Sequence, residues 1–99
     1  MLYMVLGHDV PNSLAMRKAS RPAHVERLKQ LQAEGRLVLA GPRPAVDSND
    51  PGEAGFIGSL VVVEFPDLAS ARAWADEDPY MKAGVYSHVD VHPFIKTMP

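Results

Sequence analysis

The sequence predicts an α+β fold: a ferredoxin-like βαββαβ sandwich of the dimeric α+β barrel type, its antiparallel sheet carrying both helices on one face. Three observations lead there. Short apolar or alternating runs of strand length lie at residues 2–8, 37–40, 59–65 and 85–95. Segments with apolar residues at helical spacing separate the first run from the second and the third from the fourth. The resulting order places both helices over one side of the sheet and leaves the other side open.

Each element has its own reason. Residues 2–8 are a nearly continuous apolar run, as a buried central strand requires. Pro11-Asn12-Ser13 interrupts it, and Ser13 can cap a first short helical turn. Ser20 is the stronger cap for the main helix, with Pro22 in the opening turn and a bend at Arg21. Val25, Leu28 and Leu31 give that helix its apolar face, and Gly35 ends it. Leu37–Ala40 is the second strand, stopped by Gly41-Pro42. Residues 43–56, rich in Pro, Asp, Asn and Gly, read as a mobile loop. Ser59–Phe65 is the third strand, with Val61-Val62-Val63 at its centre. Pro66 ends it and Asp67 caps a helix over Leu68–Glu77, whose stripe is Leu68, Ala71, Trp74 and Ala75. Asp78-Pro79 caps one further turn, closed by Gly84. In the last strand, Val85, Val89, Val91 and Ile95 alternate with Tyr86, His88, Asp90, His92 and Phe94.

Composition narrows the function. The 99 residues make a single domain, 1–99, with 46% hydrophobic residues, an ordinary globular content. A net charge of −2 gives no basic footprint, so neither nucleic acid nor an anionic membrane is an expected partner. With no cysteine, disulfides, thiolate catalysis and cysteine-ligated metals are excluded, and a reducing cytoplasm is the expected location. The opening segment reads as no signal peptide, and no apolar run reaches the ~20 residues of a membrane helix.

The residues that carry chemistry cluster early and late. His24 shares a stripe with Leu28 and Leu31, so its imidazole turns toward the core and needs a polar partner or a pocket. It reads as a general acid or base, or as a helix histidine bonded to a carbonyl. Asp78 before a proline reads as a helix cap, or as the carboxylate that orients His24. Arg17 and Arg21 suit a phenolate or other anion bidentately, or else pair with Asp9 and the 76–78 acids on a solvated rim. Asp9 and His8 end the first strand, where sites often gather. His88, Asp90 and His92, at i, i+2, i+4, suit a metal in principle, but ligand sets usually draw on more than one element, so a polar row is the favoured reading and no metal is expected. Ser59 lacks a nucleophile elbow, and Trp74 and the methionines belong to the core.

Taken in order, several segments resemble the YciI-like (YCII-related) family. They are Tyr3–Asp9, Arg17, Arg21-Pro22-Ala23-His24, Gly35-Arg36-Leu37 and Gly41-Pro42. Gly58-Ser59, Asp78-Pro79-Tyr80, Gly84-Val85 and Pro93-Phe94 continue the match over nearly the whole chain. The resemblance implies a ferredoxin-like dimer similar in shape to muconolactone isomerases, and an active-site His and Asp that map onto His24 and Asp78. Most members have no assigned reaction. One characterised kind is a cofactor-free dehydrochlorinase of a chlorinated hydroxyhydroquinone.

The expectation is therefore a cofactor-independent small-molecule enzyme, a dehydrochlorinase-like lyase or an isomerase acting on a hydroxylated ring. His24 and Asp78 would be catalytic, and Arg17, Arg21, Asp9, Ser59 and Tyr80 would bind substrate. Two sheets packed face to face would form a homodimer, because an open apolar face usually marks a partner surface. The alternative is a non-catalytic ligand-binding or accessory dimeric module. A quinol monooxygenase would rest on fold analogy alone.

Overall fold

The structure, a computed structural model, covers residues 1–99. The elements are β1 (Leu2–Asp9), α1 (Leu14–Ala33), β2 (Leu37–Pro44), a 3₁₀ turn at Gly52–Ala54, β3 (Phe56–Glu64), α2 (Leu68–Asp76), α3 (Pro79–Lys82) and β4 (Tyr86–Phe94). The strands form one antiparallel sheet in the order β2-β3-β1-β4. The helices lie on one face and the other face is open, the ferredoxin-like arrangement read from the sequence.

Alternation along the central strands builds the core. Tyr3 and Val5 of β1 and Val61 and Val63 of β3 point toward the helices, where Leu31, Ala71, Ala75, Tyr80 and Val85 close over them. On the other face Leu2, Met4, Leu6 and Leu60 are half-buried, and Leu39 and Phe94 at the edges stay exposed. That is an apolar surface without a cover within the chain.

The structure corrects four sequence expectations. The main helix begins at Leu14, not after Ser20, and runs unbroken through Pro22. Pro22 and Lys18, whose carbonyl loses its amide partner there, both lie on the exposed side, and buried polar contacts at Arg17 and His24 hold the helix above and below the proline. Ser13 stands at the N-cap position, but its hydroxyl donates to Asp9 at 2.6 Å instead of capping. β2 does not stop at Gly41-Pro42. It continues to Pro44, because an edge strand tolerates proline, and it removes the first residues of the expected mobile loop.

The fourth correction is in β4. A bulge where the β1 pairing steps from His8↔His88 to Asp9↔Tyr86 changes the alternation, so Tyr86 joins Val89 and Val91 on the buried side. Its ring lies directly over Gly7, where any Cβ would collide with it.

Candidate functional site

A cleft of about 150 Å³ opens between the underside of α1 and the β2–β3 edge of the sheet. Arg17, Arg21, His24, Val25 and Leu28 of α1 form one wall, Ala40, Gly41 and Pro42 of β2 another, and Ser59, Val61 and Tyr80 the floor. Its size falls below the ~300–1,000 Å³ of pockets for drug-sized ligands, so it suits a compound of one ring.

His24 reaches this cleft from mid-α1 and is almost buried, its side chain 9% exposed. Its Nδ1 lies 2.9 Å from Oδ1 and 3.1 Å from Oδ2 of Asp78. A carboxylate only accepts, so Nδ1–H donates and the Nε2 lone pair is left for chemistry. Nε2 has no protein partner. Asp78 also caps α3, its Oδ1 accepting from the Tyr80 N–H at 2.8 Å. Asp78 thus caps α3 and bonds His24 at once, since a carboxylate offers several lone pairs. Tyr80, the second residue of α3, stacks flat on the imidazole with centroids 3.9 Å apart and planes at 8°. Burial raises the Tyr80 pKa despite the nearby Arg17 and Arg21, so its phenol stays neutral at physiological pH.

Arg17 is not on a solvated rim. It is 6% exposed, and its Nε donates to Asp9 at 2.6 Å. Its Nη2 donates to Asp9, to the Gly58 carbonyl and to Ser59 Oγ at 2.9, 2.7 and 2.9 Å. Burial pulls the Arg17 pKa down, but bonding and charge from Asp9 outweigh it and the net direction is up. Nη1 makes no hydrogen bond within the protein and belongs to a side chain on the cleft wall. Arg21, exposed, lines the cleft without a hydrogen bond or ion pair of its own. Asp9 lies one layer behind: its side chain is 1% exposed and its bonds to Ser13 and Arg17 are internal. Ser59 shares the cleft floor, and its Oγ accepts from Arg17 Nη2.

The structure thus brings His24, Asp78, Arg17, Arg21, Ser59 and Tyr80 together and sets Asp9 behind Arg17. The sequence reading missed the β2 wall, because Gly41-Pro42 looked like a stop. It also missed Tyr86, whose pKa burial raises strongly, with the nearby Ser59 hydroxyl opposing part of that rise. The His88, Asp90, His92 row lies elsewhere, on the open side of the sheet, and there His8 of β1 joins it: His8 Nε2 stands 2.8 Å from Asp90 Oδ2.

Fold and cleft together define a small α+β protein with a His–Asp pair at a ring-sized pocket. Residues 1–95 match the YCII-related domain, and the chain belongs to that family. It is similar to protein YciI of Escherichia coli, 59% identical over 97% of this chain and 98% of the relative. An uncharacterized protein of Haemophilus influenzae is 53% identical over the same shares. The derivative of benzaldehyde biosynthesis cluster protein C of Emericella nidulans is 35% identical over 75% of this chain and 76% of that protein. Among solved structures, the 5-chloro-2-hydroxyhydroquinone dehydrochlorinase TftG of Burkholderia phenoliruptrix, complexed with 2,5-dihydroxybenzoquinone, superposes with a TM-score of 0.83. That match covers 96% of this chain and 94% of TftG at 24% identity, and shows a shared fold.

Proposed function

We propose that the chain is a cofactor-independent enzyme of proton transfer, a dehydrochlorinase-like lyase or an isomerase, acting on a hydroxylated ring compound. The observation that carries this reading is the buried His24–Asp78 pair, which leaves Nε2 unpaired at a ring-sized cleft. Nε2 takes a proton from a substrate hydroxyl or the adjacent carbon, and Asp78 stabilises the imidazolium that forms. Arg17 Nη1 and Arg21 offset the negative charge that develops on the substrate oxygen. In a dehydrochlorination the ring gives up this proton and expels chloride, a net loss of HCl with no change of oxidant or reductant. In an isomerisation the proton returns at another carbon. Such a pair needs no cofactor for either step. The fold shared with a dehydrochlorinase holding a dihydroxybenzoquinone supports a substrate of this size and polarity.

The same reading includes a homodimer, with the open face of Leu2, Met4, Leu6, Leu60 and Leu39 packed against a second copy, and a cytoplasmic location consistent with the lack of cysteine. Light scattering after size exclusion is expected to give twice the chain mass, and Leu60→Glu to shift it to the monomer. A monomeric wild type rejects the dimer.

The enzyme reading is tested with a panel of hydroxyhydroquinones, chlorinated and not, and of lactones, followed by ring absorbance and chloride release. Turnover that disappears in His24→Ala supports it. Turnover that survives His24→Ala overturns the mechanism. Saturable binding of a ring compound with no turnover, unaltered in His24→Gln, replaces the enzyme with a ligand-binding module.

A further inference from the structure

We propose a binding site for a divalent cation of the zinc type at the far end of the open sheet face, formed by His8, His88 and Asp90. It is separate from the His24 cleft and does not depend on how that cleft is read, but it borders the face proposed to pair with a second copy, because Asp90 stands opposite Leu6. The three residues come from neighbouring strands: His8 of β1 pairs directly with His88 of β4, and Asp90 stands one step further along on the same face. One ligand atom from each residue lies within 4.8 Å of the others. Ligands on a tetrahedral zinc ion at ~2.0–2.1 Å are separated by somewhat less than this. Side-chain rotation, without backbone movement, closes the difference.

The protonation pattern suits His88 for this role. Ser87 Oγ is 3.2 Å from the His8 carbonyl and 2.8 Å from His88 Nδ1. A carbonyl only accepts, so both bonds form together when the hydroxyl donates to His8 and Nδ1–H of His88 donates to the hydroxyl. That tautomer leaves the His88 Nε2 lone pair free, the outer-layer orientation typical of metal-ligating histidines. His8 lies parallel to His88, with centroids 4.3 Å apart and planes at 9°. Its Nε2 bridges to Asp90 Oδ2 at 2.8 Å through one hydrogen. A cation takes the place of that hydrogen and binds both atoms.

One feature opposes capture. Ligation through Nε2 puts the His8 ring hydrogen on Nδ1, which faces Arg43 Nη2 at 3.4 Å. Arg43 is itself fixed by a 2.8 Å bond to the Gly7 carbonyl. The expected affinity is therefore micromolar and not that of a closed structural site. Two histidines and a carboxylate leave a fourth position for water, and imidazole ligands favour zinc over magnesium or calcium.

The experiment is calorimetric titration of the metal-stripped full chain with Zn²⁺, together with visible absorption on adding Co²⁺. One ion per chain is expected at micromolar affinity, with cobalt d–d bands of low coordination number. His88→Gln and His8→Gln should each weaken binding at least tenfold, with both variants melting like the wild type. His92→Gln and His24→Gln should bind unchanged. No saturable uptake, uptake unaffected in His8→Gln and His88→Gln, or loss only in His92→Gln or His24→Gln overturns the proposal.

Discussion

His24 and Asp78 are joined side chain to side chain at 2.9 Å across 54 positions of sequence. The pairing follows from a cap. Asp78 must turn its carboxylate back onto the Tyr80 amide to start α3, and in that geometry the capping Oδ1 also accepts from His24 Nδ1 at 2.9 Å, with Oδ2 at 3.1 Å. The cap and the bond to His24 are made by one conformation of Asp78, so a substitution can separate the cap from the proposed chemistry.

Asp78→Asn makes that separation. The amide oxygen still accepts from the Tyr80 N–H, so the cap persists and the melting temperature should fall by only a few degrees. The charge that stabilises imidazolium is gone, and turnover of a confirmed substrate should drop by ~10²–10⁴-fold. Asp78→Ala should lower stability as well, because the cap is lost too. Steady-state rates measured beside thermal melts distinguish the two. Equal loss of stability in both variants contradicts the division of roles.

Arg17 and Asp9 form a buried pair whose members are 7% and 1% exposed. Removing one member strands the other charge, which typically costs ~3–5 kcal/mol. Arg17→Met and Asp9→Asn should each destabilise on this scale in urea titrations. The double variant Arg17→Met, Asp9→Asn should cost less than the sum of the two, because neither charge is left alone. Strict additivity would mean that the pair is not coupled.

Much of this was legible in the residue order. The βαββαβ path, the core stripe of Val61 and Val63 and the cap at Asp67 follow local rules of alternation and capping, whereas the pairing of His24 with Asp78 was implied only by the resemblance to the YCII-related family, because no local rule joins residues 54 positions apart. Three features did not follow, each for a tertiary reason. Pro22 sits inside a helix because buried anchors on either side outweigh its missing bond. Gly41-Pro42 continues a strand because the strand is at an edge. Tyr86 turns inward because a bulge shifts its alternation, and only the small Gly7 opposite makes room for it. Arg17 had two readings, and the ion pair with Asp9 was one of them; its burial came from the α1 start, which local cap rules set too late.

Gly58→Ala should be the most damaging small substitution in the sheet. A Cβ there would collide with the Gly7 carbonyl of β1 and with the Arg43 guanidinium. The carbonyl is backbone and cannot turn aside, so strand separation must give way, at ~1–3 kcal/mol or more. Gly41→Ala meets nothing within 4 Å and should stay within about ±0.5 kcal/mol. Chemical denaturation of the two variants ranks them, and a neutral Gly58→Ala would refute the packing argument.

Alkaline pH should unfold the chain earlier than its carboxylates and lysines alone would predict. Burial raises the Tyr86 pKa above its ordinary value of 10.0, and Tyr80 is shifted the same way. A phenol with a raised folded-state pKa keeps its proton in the fold and loses it first in the unfolded chain. Below pH ~10 both states are neutral and the shift contributes its full stability; as pH rises past 10, the unfolded state ionises alone and stability falls. The fall continues until the folded-state pKa is reached, at about 1.4 kcal/mol for each pH unit and each such group. Tyr86→Phe removes one ionising group along with the interaction of its hydroxyl with Ser59. It should start less stable at pH 8 and decline less steeply between pH 10 and 11. Melting curves of both proteins over that range decide it, and parallel slopes would show that Tyr86 is not the group responsible.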